Sequence, residues 1–220
     1  MQILLLYFNA FCFPEIYQDL LHKYVDSTGY VDYAAWKEDP SHASFVQALS
    51  SAVPPQDDTA YWINMYNALT IQLIIENYPL QSIRDLAHGK VWSTHEFSLS
   101  TGSYTLDAIE HKILRPRKDP RIHAAINCAS VGCPPLWNKP YTEQNLSQDL
   151  DLALERWFAS NAFQKTDSGM HISKIFLWYA DDFPPSPLSF LRQHRPNMDW
   201  PKTENISYME YDWSLNEKKY

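Results

Sequence analysis

Glycine is scarce in this chain, five among 220 residues against fifteen prolines. That ratio excludes flexible Gly/Ser linkers and points to rigid loops punctuated by proline. There is no Gly-rich phosphate cradle, no GxSxG elbow, no HExxH helix and no calcium loop. Common nucleotide-binding, serine-hydrolase and metalloprotease readings are thereby excluded. Basic residues are also few, 18 Lys and Arg against 26 Asp and Glu, giving a net charge of -8 and a pI of about 5.4. Nucleic acid and anionic membrane surfaces are therefore poor partners. Cysteine occurs three times, as Cys12, Cys128 and Cys133. An odd count without repeating spacing is no disulfide framework, though it leaves one short-range pair, Cys128 and Cys133, open. No apolar run has transmembrane length. Residues 1–13 (MQILLLYFNAFCF) are strongly apolar but too short to span a bilayer. They lack a preceding positive charge and a following small-residue cleavage site. Two readings stand, a clipped remnant of a secretion signal and a packed N-terminal segment. An exported or periplasmic location and a cytoplasmic one are both open.

What is present is a core. Hydrophobic residues make up 45% and aromatics 15%, with eight tryptophans and fourteen tyrosines. There is no internal repeat or low-complexity tract. The weakest point for a boundary is residues 183–187 (FPPSP), but only about 30 residues follow, too few to fold alone. Residues 14–220 are expected to form a single domain.

Apolar residues at Ile16, Leu20, Leu21 and Tyr24 predict a helix over 16–24. Asp57 and Asp58 precede a long apolar helix expected over 59–78, and Pro79 ends it. Further helices are expected over 106–114, 145–159 and 187–194. Strands are fewer. Residues 121–128 (RIHAAINC) alternate between Asp-Pro and a Ser-Val-Gly turn, 170–178 follow the turn 167–169, and 30–33 supply a minor third. The expected fold is α+β and α-rich, several helices packed around a small β-sheet.

Function is expected on residues 119–136 (DPRIHAAINCASVGCPPL), with Cys128 at the end of the expected strand. Strand ends that run into turns expose a side chain on a rigid support. A thiol there becomes a nucleophile once a base or positive charge lowers its pKa. A small buried hydrophobe is the plain alternative. His123 lies five residues before Cys128, so in a straight strand the two point to opposite faces about 16 Å apart. His111, on the helix 106–114, is free to approach and is the preferred base. Its neighbour Glu110 points about 100° away from it. Arg115, four residues after His111, suits a carboxylate or a substrate anion. Asn64 and Asn67 share one face of the long helix. They either tie loops to the core or line the site as oxyanion donors, a role also open to Asn127. Cys133 allows a redox dithiol with Cys128. With His111 and His123 the pair also offers four zinc ligands, at a spacing that fits zinc only fairly. Lys174, Asp181 and Asp182 bracket the strand over 170–178, where a Lys–Asp pair would fix its end.

Four blocks occur together in a fixed order: 61–68 (YWINMYNA), 109–115 (IEHKILR), 119–136 with its DPRIH, NCAS and CPPL elements, and 173–183 with SKIF, WY and DF. Together with 211–216 (YDWSLN), they resemble the domain of unknown function 547 family from about residue 16 to residue 216. The resemblance implies no reaction. Plant relatives carry a cysteine matching Cys128 but Ser in place of Cys133, which favours a lone thiol partnered by Glu110, His111 and His123. Relatives joined to glutaredoxin-like domains imply thiol-redox chemistry, and bacterial relatives imply export.

The first expectation is a cysteine-dependent hydrolase or acyl transferase. Cys128 attacks a carbonyl, His111 or His123 is the base, and Asn127, Asn67 or the backbone of 129–132 holds the oxyanion. A small molecule or peptide is the expected substrate, and no cofactor, metal, nucleic acid or integral membrane segment is expected. A non-catalytic binding or scaffold domain is the second expectation, and a thiol-redox or zinc module using Cys128 and Cys133 the third.

Overall fold

The computed structural model describes residues 13–55, 57–167, 169–202 and 206–220. The apolar stretch 1–12, on which the signal-remnant reading rests, lies outside the described residues together with Cys12.

Helix α1 (Phe13–Tyr24) buries Ile16, Tyr17, Leu20, Leu21 and Tyr24 along one stripe and packs on α3 (His42–Ser50). Between them lies α2 (Tyr33–Lys37), capped by the Asp32 side chain. Helix α4 (Thr59–Asn77) is capped by Asp58, which accepts a hydrogen bond from Tyr61 N–H. It is buried nearly all round, as its lack of a polar face demands. It touches α2, α3 and the segment Ile109–Leu114, and so forms the axis of the molecule. A short helix α5 (Val91–Thr94) precedes the hairpin β1 (Phe97–Leu99) and β2 (Gly102–Tyr104).

Helix α6 (Leu106–Ala108) starts at Thr105, which caps it, and runs straight into a π-helical stretch, Ile109–Leu114. Helix α7 (Leu146–Ser160) packs on the 3-10 turn Pro120–Ala124. Strands β3 (Phe163–Thr166) and β4 (Gly169–Ile172) pair antiparallel in the register Phe163↔Ile172. They lead to α8 (Ile175–Trp178), α9 (Pro187–His194) and β5 (Ser207–Tyr208), the last parallel to β4. The buried apolar residues form one cluster reaching from Phe13 to Leu215. No helix of the described residues is long and apolar enough to cross a membrane.

The fold is α+β and α-rich. That is the expected class; helix α4 runs through the core, and there are two small sheets among the described residues. Residues 121–128 are not a strand. Asp119 caps the segment by accepting from Arg121 N–H at 3.0 Å, and Pro120 sits in the first turn, so the chain coils as a 3-10 turn. An Asp-Pro pair starts a helical turn as readily as it bounds a strand. The strand expected over 170–178 ends at Ile172, because Ser173 turns the chain into α8. Residue Val31 makes only isolated bridges, to Val25 and Glu217.

Candidate functional site

The segment 124–136 is held by side-chain amides that stand in for a missing ladder. Asn67, on α4, donates to Ala125 O at 2.9 Å and accepts from Asn127 N–H at 2.8 Å. Asn127 in turn donates to Pro134 O and accepts from Ala129 N–H, both at 2.8 Å. Ala129 takes a left-handed conformation (φ 60°). That costs a non-glycine residue roughly 1–2 kcal/mol, and it reverses the chain between Cys128 and Cys133. Asn161, just after α7, donates to Val131 O and Cys133 O, both at 2.9 Å. The C-terminal segment lies antiparallel along this turn. Val131 N–H donates to Ser214 O and Gly132 N–H to Asp212 O. This pairing carries Tyr211 and Trp213 over the cysteines.

Cys128 and Cys133 are joined as a disulfide, Cα–Cα 6.4 Å. Cys128 is half-buried and Cys133 buried. Donors converge on the Cys133 sulfur. Cys128 N–H donates to it at 3.0 Å and the Tyr211 hydroxyl at 3.1 Å, while Ser130 Oγ donates to the Tyr211 hydroxyl at 3.1 Å. Burial pushes Tyr211 above its ordinary range, against the lowering effect of Ser130, so its hydroxyl stays protonated and remains a donor.

Both sulfurs face a cleft of about 260 Å³ whose walls include Tyr66, Trp92, Glu110, His111, His123, Trp178, Tyr179, Tyr211 and Trp213. The rings of Trp178, Tyr211 and Trp213 pack on one another, with centroids 4.5–5.7 Å apart. His123 is 2% exposed and its Nε2 lies 2.7 Å from Asp182 Oδ2. A carboxylate only accepts, so His123 carries its proton on that nitrogen. Arg115 grips the same carboxylate from the other side, Nε to Oδ2 at 2.6 Å and Nη2 to Oδ1 at 3.0 Å. Burial works to raise the Asp182 carboxyl, but His123 and Arg115 overcome it and hold it well below the usual carboxylate range. His111 accepts from Arg115 Nη1 at Nδ1 (2.7 Å) and points Nε2 toward Asp107 at 3.4 Å. Glu110 is 6% exposed and accepts from the Tyr66 hydroxyl at 3.3 Å.

The structure brings Cys128, His111, His123 and Glu110 to one cleft, although the strand geometry expected for 121–128 separates His123 from Cys128. Neither histidine holds the Cys128 sulfur, whose near neighbours are Ser130 Oγ at 3.1 Å and the Tyr211 hydroxyl at 3.3 Å. Arg115 holds a carboxylate, that of Asp182. Asn64 spends its amide on Tyr141, donating to O at 2.8 Å and accepting from N–H at 2.9 Å. Asn67 and Asn127 are likewise committed to backbone. Lys174 pairs with Glu210 at 2.8 Å and leaves Asp182 to the site. Among the described residues, no three His, Cys, Asp or Glu side chains converge as metal ligands would. Sequence reasoning missed Asp182, Tyr179, Tyr211 and Trp213 as site residues. The signal for them was their place in two of the segments that carry the family resemblance, 173–183 and 211–216, where polar and aromatic residues stand with no helical or strand periodicity to explain them.

Neither the curated proteins nor the solved structures contain a match to the chain. Residues 50–158 match the family described as "Protein of unknown function, DUF547". That span carries both cysteines, His111, His123 and Glu110, while Asp182 and the Tyr211–Trp213 wall come from beyond it. The chain, with its cysteine-bearing cleft, belongs to the DUF547 family of proteins of unknown function.

Proposed function

We propose that the cleft is a thiol–disulfide exchange site in which Cys128 and Cys133 cycle between bridge and dithiol. The observation that carries this reading is the asymmetry of the bridge. Cys128 is the more accessible residue of the pair, and the buried Cys133 is the one whose sulfur takes a backbone N–H as well as the Tyr211 hydroxyl, whereas the Cys128 sulfur has only hydroxyls beside it. An incoming thiolate attacks Cys128 Sγ, a mixed disulfide forms there, and the bridge breaks. The electron pair leaves on Cys133, where the Tyr211 hydroxyl and Cys128 N–H stabilise the thiolate until it takes a proton from solvent. A second thiolate attacks the outer sulfur of the mixed disulfide and releases Cys128, which is protonated in turn. In sum, the bridge and two thiols become two protein thiols and one external disulfide, two electrons passing to the protein.

Carbonyl attack by Cys128 needs a free thiolate and a base at its sulfur. The bridge removes the first, and the nearest groups to the sulfur are hydroxyls. The hydrolase reading is therefore the weaker one. To test the exchange reading, the Cys12→Ser protein is equilibrated in buffers of graded thiol/disulfide ratio and its free thiols are counted. A two-electron transition between zero and two thiols, mapped to Cys128 and Cys133, is expected. Tyr211→Phe should slow reduction about tenfold, from loss of one donor to a developing charge. Two thiols persisting under oxidising conditions, or a bridge reducible only on unfolding, overturns the proposal.

A further inference from the structure

The charge-bearing side chains that line the cleft are engaged with partners of their own. Asp107 faces His111 at 3.4 Å, His123 is held by Asp182, and Glu110 is served by the hydroxyls of Tyr66 and Tyr179. A charged group on an incoming thiol would shed water here to meet groups already paired. What the cleft leaves unspent is apolar surface. Trp178, on α8, lines it and is 45% exposed. Its ring lies 4.8 Å from that of Tyr211, whose hydroxyl is 3.3 Å from the Cys128 sulfur and 3.1 Å from the Cys133 sulfur. One ring therefore separates an open indole from the bridge. The apolar surface continues past the cleft, because Leu177, the preceding residue of the same four-residue helix, is 47% exposed. Exposed apolar surface that runs on from a reactive centre marks a place for a partner's apolar group. Its extension beyond a cleft of about 260 Å³ suits a chain that continues outward, where a small thiol would end inside.

We infer that the thiol exchanged at this site belongs to a peptide, and that Trp178 selects it by seating a large apolar side chain, aromatic or branched aliphatic, that flanks the peptide's cysteine. The sulfur half of this inference rests on the exchange reading above; the apolar seat rests on Trp178 and the surface around it. Exchange proceeds as already balanced, with the peptide cysteine as the incoming thiolate and two peptides leaving joined by a disulfide.

The experiment has two arms. In the first, the bridge is reduced with acetyl-Phe-Cys-Phe-amide or with its Gly, Lys and Asp counterparts, each rate divided by that peptide's rate with a small free disulfide. The Phe peptide is expected to be about tenfold faster than the Gly peptide, from apolar area removed from water, and the Lys and Asp peptides no faster than the Gly one. Trp178→Ala should collapse the ratio of Phe to Gly rates, and Trp178→Phe, which keeps a ring, should hold it, in proteins whose fold is checked by circular dichroism. Equal normalised rates for the four peptides, or a ratio that survives Trp178→Ala, overturn the inference. So does a preference for 2-phenylethanethiol over 2-mercaptoethanol with none between the Phe and Gly peptides, because the occupant is then a small thiol. In the second arm, acetyl-Phe-Ser-Phe-amide and acetyl-Gly-Ser-Gly-amide are titrated by calorimetry into the Cys128→Ser/Cys133→Ser protein. About tenfold tighter binding of the Phe peptide is expected, and equal binding overturns the apolar seat. Failure of every peptide to reduce the bridge, with the Phe-Ser-Phe peptide still bound, sinks the exchange reading and leaves the seat standing.

Discussion

Asp182 shows how one side chain can organise a wall. It takes donors from His123 and from two nitrogens of Arg115, and so fixes His123, Arg115 and, through Arg115, His111. Its carboxyl is depressed in the folded protein, whereas an unfolded aspartate titrates near 3.9. Folding therefore favours the charged form. The stability it contributes is complete above about pH 4 and is lost as pH falls from there toward the folded value. The urea midpoint of the wild type should fall more steeply below about pH 4 than that of Asp182→Asn. Parallel curves would show that the pairing adds nothing to stability. At the same scale, Glu110 and His111 are neighbours with opposite fates. The π-helical turn sends Glu110 inward and leaves His111 at the rim, gripped by Arg115.

The decisive element is the turn 129–132 together with the C-terminal segment paired to it. Gly132 leaves room for Tyr211. A Cβ at that position would stand 2.9 Å from three atoms of the ring. Gly132→Ala should displace Tyr211, cost about 1–3 kcal/mol, and slow reduction of the bridge. Urea unfolding and near-ultraviolet circular dichroism read the first two effects, and unchanged aromatic ellipticity would count against the packing described. Helices with clear stripes or caps were legible in the sequence: those at 16–24, 59–78, 145–159 and 187–194 fall within a few residues of their observed bounds. Helices α2 and α3 went unread, because a five-residue helix and a nine-residue one that buries only Phe45, Ala48 and Leu49 carry little periodicity. The segment 121–128 misled because Ile122, Ala124, Ile126 and Cys128 fall at every second position, the pattern of a strand with one wet face, whereas Ile122, His123 and Ala124 are in fact buried together in a tight turn. The cysteines and Glu110–His111 were legible as chemistry. Their arrangement was not, since it depends on Asn67, Asn127 and Asn161 tying distant backbone together, and no local spacing encodes such ties.

Across the whole molecule the bridge is a short loop in a large core. It joins residues five apart, and in the chain-entropy picture a loop of that size stabilises by about 2 kcal/mol. Reduction should lower the melting temperature by about 4–8 °C for a chain of this length, and the Cys128→Ser/Cys133→Ser protein should not respond to reductant. A much larger drop would mean that the bridge holds more than its own turn. Tyr211 reaches the Cys133 sulfur from 78 residues away, whereas the two cysteines find each other locally. Local closures form early and distant ones late. In a newly made chain the sulfurs can therefore be oxidised while still open to solvent, and only afterwards does the C-terminal segment settle over them. The same order run backwards makes peeling of that segment the least costly route by which a large partner would reach the bridge, with the helical core left intact.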